Sequence, residues 1–182
     1  MEKLRKLTYI ILPILLFLSF NSFSQNAIQK DSLRSKLMNA AREIMVASKT
    51  CALITQDQKG RSRVRVMDPF LPESDFIVWF GTNSKSRKVN QIKKDPRVTL
   101  YYFDPNASGY VTIHGIAQLV NDPKEKEKRW KDEWKDFYPD KSEGYLLIKV
   151  SPEWMEVISD SHAIFGDSTT WKPPIVFFNS KK

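Results

Sequence analysis

The chain has 182 residues, of which 41% are hydrophobic, and its formal net charge is +8. This length and composition predict one globular domain and exclude a disordered or fibrous chain. The single cysteine, Cys51, excludes an intramolecular disulfide. Because Cys51 lies in the apolar run CALIT, we expect a buried thiol in the core.

Residues 1–24 have the pattern of a secretory signal peptide. Lys3, Arg5 and Lys6 precede an apolar run over residues 7–20, and the small residues Ser22 and Ser24 follow. The run is short for a membrane span, and no cysteine follows it. We therefore expect cleavage after residue 24, export to a bacterial periplasm and no stable membrane anchor afterwards. An uncleaved N-terminal anchor is the alternative.

The next elements are a helix, a hairpin and a second helix. Residues 25–48 contain apolar side chains at helical spacing and predict an amphipathic helix. Residues 50–55 and 61–67 predict a hairpin, with Arg61, Arg63 and Arg65 on one face of its second strand. A third strand, over residues 76–80, leads into a short helix over residues 85–94 that is stopped by Asp95 and Pro96.

The second half of the chain is rich in strands. Strands are predicted over residues 98–103, 110–120, 145–150 and 154–158, and Gly115 inside the second predicts a bulge or a close backbone approach. Asp122 opens a predicted helix that places Trp130, Trp134 and Phe137 on one core-facing stripe. Residues 160–182 are expected to be an irregular tail, packed on the barrel or on a dimer partner.

The hairpin connections predict a mainly β domain with flanking helices (α+β), built as a small antiparallel barrel over residues 49–159. A Rossmann site is not expected, because the chain has no glycine-rich dinucleotide loop.

The segment from Thr82 to Lys88 carries the clearest chemical signal. Ser86 and Thr82 offer hydroxyl groups, Arg87 can donate two hydrogen bonds to a phosphate, and Lys88 adds a second cation at the predicted start of a helix. Backbone N–H groups at a helix N-terminus also favour an anion. The segment therefore predicts a phosphate site; an ordinary solvated helix start is the alternative.

The run WFGTNSKSRKVNQIKKDPRVTLYYF resembles the FMN-binding segment of the pyridoxamine 5′-phosphate oxidase-like split-barrel flavoproteins. The strand GRSRVRVMDP resembles the preceding flavin-contacting strand, and GYVTIHGIAQLV resembles the strand that follows. The similarity covers about residues 50–159, and the chain looks closest to the small general stress protein branch. The resemblance implies a split β-barrel of about six antiparallel strands that binds FMN at the interface of a homodimer.

The resemblance also implies site residues. Ser86, Arg87 and Lys88 match the phosphate-binding positions. Thr82 matches a flavin-contacting turn position, and Asn83 lies beside it among the candidate cofactor-binding residues. The strand along the isoalloxazine ring matches Arg65, Val66 and Met67. Arg63 is the alternative to Arg65, because a shift of two residues keeps the same strand face.

Three departures of this chain from the family pattern concern the substrate side of the site. Family members that oxidise pyridoxamine phosphate usually carry a lysine shortly after the strand arginine, where Asp68 or a proline stands here. Gly81 replaces the aromatic residue that often precedes Thr82. The C-terminal Arg-x-His segment of those oxidases is absent. We therefore expect an FMN-dependent oxidoreductase acting on an unidentified small molecule, with no catalytic residue assigned. The alternatives are a flavin-binding or stress-related module without turnover, a barrel that holds haem or a deazaflavin, and a basic surface-binding domain.

Two histidines bear on other ligands. His114 is expected to be a packed or hydrogen-bonded strand residue, with haem ligation as the alternative. His162 lies in a loop without a convincing ligand set, so no metal site is expected. The crowding of Ser161, His162 and Asp167 in one loop argues against a catalytic triad. Export argues against a nucleic-acid partner.

Overall fold

The computed structural model describes residues 29–104, 106, 108–138 and 144–178. The predicted signal peptide, residues 1–24, lies outside these ranges. The chain divides into two units, Met1–Lys36 and Leu37–Lys182. The described residues of the first unit, 29–36, are helical. Among the described residues, no helix is both long enough and apolar enough to cross a membrane.

The described helices are α1 over residues 29–48, α2 (Arg87–Lys94) and α3 (Pro123–Lys128). The described strands are β1 (Cys51–Gln56), β2 (Ser62–Met67), β3 (Val78–Asn83), β4 (Arg97–Asp104), β5 (Gly109–Val120), β6 (Tyr145–Ser159) and β7 (Ile175–Phe177). Short 3-10 helices cover Asp132–Trp134 and Asp160–His162.

All the strands belong to one antiparallel sheet in the order β2-β1-β4-β5-β6-β3, with β7 paired to β6. The sheet curls until its two ends meet, since Pro69, just after β2, bridges Phe80 of β3. The predicted fold class, a mainly β antiparallel barrel with flanking helices, is confirmed.

One large core fills the concave side of the sheet. Residues 37–48 of α1 contribute Leu37, Ala40, Ala41, Ile44 and Met45, all buried at the helical spacing seen in the sequence. Cys51 is buried among them, as expected, and burial raises the pKa of its thiol to about 12. The thiol is therefore protonated at neutral pH and is a poor nucleophile.

Several predicted element boundaries are wrong, and the tail predicted to be irregular contains the short strand β7. The helix predicted from Asp122 through Phe137 ends at Lys128, because the buried Arg129 leaves helical geometry to pair with Glu73 and Glu125. The third strand begins at Val78 and runs through Asn83, since Phe76 has a positive φ of 64° that interrupts extended backbone.

The strands predicted over residues 145–150 and 154–158 form one long strand, β6. Pro152 is tolerated because the register shifts at this level, between His114 and Gly115 of the neighbouring β5. A Cβ atom at position 115 would lie 2.3 Å from the carbonyl oxygen of Ser151. Both the bulge and the close backbone approach predicted for Gly115 are therefore present.

Candidate functional site

Three cations meet between β2 and the start of α2, and we call Arg65, Arg87 and Lys88 the cationic cluster. Arg65 donates to Thr55 Oγ1 at 2.8 Å and to Gln91 Oε1 at 2.9 Å. Lys88 Nζ donates to Thr82 Oγ1 at 2.9 Å. These neutral partners orient Arg65 and Lys88 without cancelling their charge.

The cluster is electrostatically unfavourable as it stands. Burial and the nearby Arg87 lower the pKa of Arg65, and burial and the nearby Arg65 lower the pKa of Lys88. Within the described part of the chain, none of the three cations has an ion pair with a carboxylate. An anion that binds to these three cations therefore stabilises the arrangement.

The first turn of α2 adds to the positive potential. Ser86 is the N-cap residue, but its side chain makes no capping hydrogen bond; its Oγ lies 3.3 Å from Thr82 Oγ1 instead. The first turn contains no acidic residue. Asn83 shapes the preceding turn, because its Oδ1 accepts from the Lys85 N–H at 2.8 Å. The helix N-terminus can therefore receive an anion beside the cationic cluster.

The structure separates the two candidate arginines of β2. Arg63 donates to Asp57 Oδ2 at 2.8 Å, and Arg61 binds the same oxygen. Hydrogen bonds from the backbone of Arg61 and Lys59 and from both guanidinium groups hold the pKa of Asp57 well below its usual value. Arg63 is thus paired with a carboxylate at the hairpin turn, whereas Arg65 joins the cationic cluster. Arg63 and Arg87 also line a cleft of about 370 Å³ beside the hairpin turn, which we call the basic cleft.

A cleft of about 370 Å³ lies between the end of β2 and β3. We call it the aromatic cleft, and it is lined by Val66, Met67, Asp68, Gly81, Asn83, Trp134, Phe137 and Tyr138. Three of these residues, Val66, Met67 and Asn83, were predicted from the sequence to contact a flavin. The structure therefore brings the predicted phosphate and flavin segments to neighbouring positions on β2 and β3.

Sequence reasoning missed several residues of this site. Gln91 lies one helical turn after Arg87, so the spacing of the α2 motif could have indicated it. Thr55 and Trp134 come from distant segments and carried no comparable signal. The expectation that Phe137 packs in the core is wrong, because this side chain is 75% exposed at the cleft. Trp130 and Trp134 do pack against a buried cluster, formed by Trp79, Tyr145 and Leu147.

The histidines lie elsewhere. His114 stacks on Trp154 with ring centroids 3.7 Å apart, its Nδ1 lies 3.2 Å from Thr99 Oγ1, and burial lowers its pKa. His162 Nε2 contacts Glu43 at 3.1 Å. Asp167 binds Thr170 Oγ1 at 2.8 Å instead of His162, so no Ser161–His162–Asp167 triad forms. In the ranges described, no cluster of His, Cys, Asp or Glu could hold a metal ion.

The family model "Pyridoxamine 5′-phosphate oxidase like" matches residues 36–166 of the chain. A curated pyridoxine/pyridoxamine 5′-phosphate oxidase from Leptospira interrogans serogroup Icterohaemorrhagiae is 31% identical over 110 residues. That match covers 60% of this chain and 45% of the relative. The chain therefore matches less than half the length of this relative.

Solved structures share the fold. General Stress Protein 26 from Bacillus anthracis superposes with a TM-score of 0.61 at 22% identity, over 80% of this chain and 98% of that protein. A pyridoxamine 5′-phosphate oxidase-related, FMN binding protein from Nostoc punctiforme superposes with a TM-score of 0.57 at 14% identity, over 82% and 95%.

The fold also occurs with other ligands. A heme binding protein from Mycobacterium smegmatis superposes with a TM-score of 0.53 at 16% identity, over 65% of this chain and 52% of that protein. An F420 reductase superposes with a TM-score of 0.51 at 21% identity, over 63% and 94%. The fold by itself therefore does not select the cofactor.

Proposed function

The chain belongs to the pyridoxamine 5′-phosphate oxidase-like family, and from this premise we propose that it binds FMN and acts as an oxidoreductase on a small molecule. The observation that carries the proposal is the uncompensated charge of Arg65, Arg87 and Lys88 beside the N-terminus of α2. A phosphate monoester supplies the negative charge that this arrangement lacks.

The residues present fit the phosphate end of FMN. Arg87 and Lys88 would hold the phosphate by charge-assisted hydrogen bonds, and Arg65, fixed by Thr55 and Gln91, would complete the positive site. The hydroxyls of Ser86 and Thr82 would add neutral donors. When bound, the flavin supplies reversible two-electron chemistry. The protein's contribution is to bind the cofactor, to orient it and to limit its exposure to water.

A flavin spectrum tests this proposal without knowledge of the substrate. The full chain is mixed with FMN, passed through a desalting column and examined for the flavin's visible absorption bands. We expect the bands to travel with the protein and the fluorescence of FMN to change on binding. Free FMN that separates completely, with unchanged fluorescence, would sink the proposal. Haem and a deazaflavin, titrated in parallel, test the alternative ligands.

A second candidate function is flavin binding without turnover. The observation that favours it is that the ionisable groups of the aromatic cleft are not ready proton donors or acceptors. Asp68 is paired with Lys131 at 2.6 Å, and burial raises the pKa of Tyr138. Rapid reduction of bound flavin by a nicotinamide or another small reductant, followed by reoxidation with a substrate, would decide for the enzyme.

The outer face of the sheet supports a homodimer. Val64 and Val66 of β2 are 65% and 73% exposed, which is unusual for strand valines. The strand register places Ala52, Tyr101 and Ile175 on the same face as Val66. We propose that a second copy of the chain covers this face and that the cofactor lies at the interface.

Sedimentation velocity with bound FMN tests the dimer. Phe103→Asp places a charge on the outer face, where Phe103 is 52% exposed, and should give monomers. Leu71→Asp is the matched control, since Leu71 is 72% exposed in the loop after β2. A native chain that is monomeric at micromolar concentration would contradict the proposal.

We also propose export to a bacterial periplasm with cleavage after residue 24, on the basis of the N-terminal sequence pattern. Cell fractionation and the intact mass of the recovered protein test this. A cytoplasmic or membrane-retained product with an intact N-terminus would contradict it.

A further inference from the structure

The aromatic cleft lies where the two edge strands of the sheet face each other. An isolated bridge between Pro69, just after β2, and Phe80 of β3 joins the two edges, and beside it the Phe70 N–H donates to the Trp79 carbonyl at 2.9 Å. The cleft is lined from both strands beyond this bridge. Its volume of about 370 Å³ lies within the usual range for small-molecule sites.

The Trp134 ring fills the space in this cleft that a side chain at position 81 would occupy. A Cβ atom built on Gly81 would lie 2.5 Å from two ring carbons of Trp134, which is far inside van der Waals contact. A side chain at position 81 and the Trp134 ring therefore exclude each other. The connection between β5 and β6 thus supplies the aromatic surface that β3 lacks at Gly81.

The neighbouring contacts hold Trp134 in one orientation. Its ring makes edge contacts with Phe70 at 5.9 Å and Tyr145 at 5.7 Å between centroids. On one side of this segment, the buried Arg129 binds Glu73 at 2.7 Å, and its carbonyl accepts from the Tyr145 hydroxyl at 2.6 Å. Closer to the cleft, Lys131 binds Asp68 at 2.6 Å. These contacts therefore fix the position of the segment that carries Trp134, and no ligand is needed for them.

The cleft continues the cationic cluster along both strands. Met67, two residues after Arg65, lies on the same face of β2, and Gly81 and Asn83 flank Thr82 on β3. A ligand whose phosphate sits on the cluster would carry a flat ring along these strands into the cleft. Aromatic side chains are the usual partners of such a ring, because stacked and edge contacts bury its surface.

We propose that Trp134 contacts the isoalloxazine ring of the bound flavin and positions it in the aromatic cleft. This inference rests on the proposed FMN binding. It adds a positioning residue from the connection between β5 and β6, outside the segments that carry the sequence motif. Trp134 acts on the ring, whereas Arg87 and Lys88 act on the phosphate.

The test uses the full chain and compares FMN with riboflavin, which lacks the phosphate. Tryptophan in contact with a flavin quenches its fluorescence by electron transfer, and phenylalanine does not. In Trp134→Phe we expect the fluorescence of bound flavin to rise several-fold, while the affinity falls by less than about tenfold. The loss of affinity should be equal for FMN and riboflavin, since both carry the same ring.

Two further variants serve as controls for misfolding of Trp134→Phe and for quenching of the flavin by other residues. Gly81→Ala should displace the Trp134 ring, and the fluorescence of bound flavin should then rise as it does in Trp134→Phe, although Trp134 itself is unaltered. Trp171→Phe is the control, because Trp171 is 84% exposed and does not line the cleft. Its bound flavin should stay quenched as in the native chain.

The outcomes separate the two proposals. If the native chain binds no flavin, the proposed function fails and this inference fails with it. If the native chain binds FMN, but Trp134→Phe leaves both fluorescence and affinity unchanged, only this inference is overturned. A loss confined to FMN would also overturn it, because that result would place Trp134 at the phosphate.

Discussion

Lys131 Nζ lies 2.6 Å from Asp68 Oδ2, across the rim of the aromatic cleft. The resemblance to pyridoxamine phosphate oxidases leads one to expect a lysine at or near position 68. In this chain Lys131, from the connection between β5 and β6, brings its ammonium group to Asp68. Its ammonium group also lies 5.1 Å from the Phe70 ring centroid and 5.5 Å from that of Trp134. The pair therefore ties this connection to the end of β2.

Lys131→Met should destabilise the protein modestly. The side chains of Lys131 and Asp68 are 23% and 52% exposed, so water screens their attraction, and the loss in free energy of unfolding should be about 0.5–1 kcal/mol. Urea unfolding measures it. Lys135→Met is the matched control, because its pair with Asp132 is more exposed and should contribute nothing measurable. Equal losses in both variants would contradict this account.

Arg87→Ala and Lys88→Ala should weaken FMN far more than riboflavin. Removing one charge-assisted phosphate contact costs about 1.5–3 kcal/mol, which corresponds to about a ten- to hundredfold loss of affinity. Fluorescence titration with both ligands measures the difference. Lys94→Ala, in the last turn of the same helix, should leave both affinities unchanged. If FMN and riboflavin lose equally in Arg87→Ala, the cluster does not touch the phosphate.

Arg65→Ala and Arg63→Ala should differ in their effect on FMN. Arg65 lies in the uncompensated cluster, whereas Arg63 is paired with Asp57 at 2.8 Å. We expect Arg65→Ala to lower FMN affinity by at least about tenfold and Arg63→Ala by less than about threefold. The same titration measures both variants. The reverse order would assign the phosphate to the basic cleft beside the hairpin turn.

Lys88→Met should stabilise the cofactor-free protein while weakening FMN. The pKa of Lys88 is lowered in the folded chain by burial and by Arg65, so the charged form disfavours folding. Removing the charge should raise the free energy of unfolding by up to about 1 kcal/mol. Thr82 Oγ1 would keep Ser86 Oγ as a neighbour at 3.3 Å. Chemical denaturation without FMN measures the change, and a loss of stability would contradict it.

The lowered pKa of Lys88 also predicts that the stability of the cofactor-free protein depends on pH. As the pH rises, the folded chain releases the Lys88 proton before the unfolded chain does. The stability of the cofactor-free protein should therefore gain a favourable contribution from the folded pKa up to the ordinary lysine value of 10.5. Comparing the native chain with Lys88→Met across this range isolates the contribution, and parallel pH profiles would show that it is absent.

Gly115→Ala should be strongly destabilising. The added Cβ would lie 2.3 Å from the Ser151 carbonyl oxygen, and backbone at the bulge has little freedom to move away. We expect a loss of about 3 kcal/mol or more. Gly60→Ala is the control: it meets no atom within 4 Å, and its φ of +73° should cost about 1 kcal/mol. Thermal unfolding compares them, and equal losses would contradict the role given to the bulge.

The segment that we propose to bind phosphate stands out in the sequence because its parts are close together. Thr82, Ser86, Arg87 and Lys88 lie within seven residues, at the end of a strand and the start of a helix. Local backbone geometry alone then brings the hydroxyls, cations and helix N-terminus together. The choice between Arg63 and Arg65 could not be made in this way, since both lie on one strand face and only their partners differ.

By itself, the sequence predicted β1, β2, β4 and β5, the core face of α1, the bulge at Gly115 and the segment that we propose to bind phosphate, because periodicity and local motifs encode them. The tertiary structure alone decided that Arg65 joins the cluster, that Gln91 and Thr55 orient it, and that Trp134 fills the space over Gly81. These residues meet across the barrel from distant segments. Their contacts depend on how the chain packs, and no local pattern records that packing.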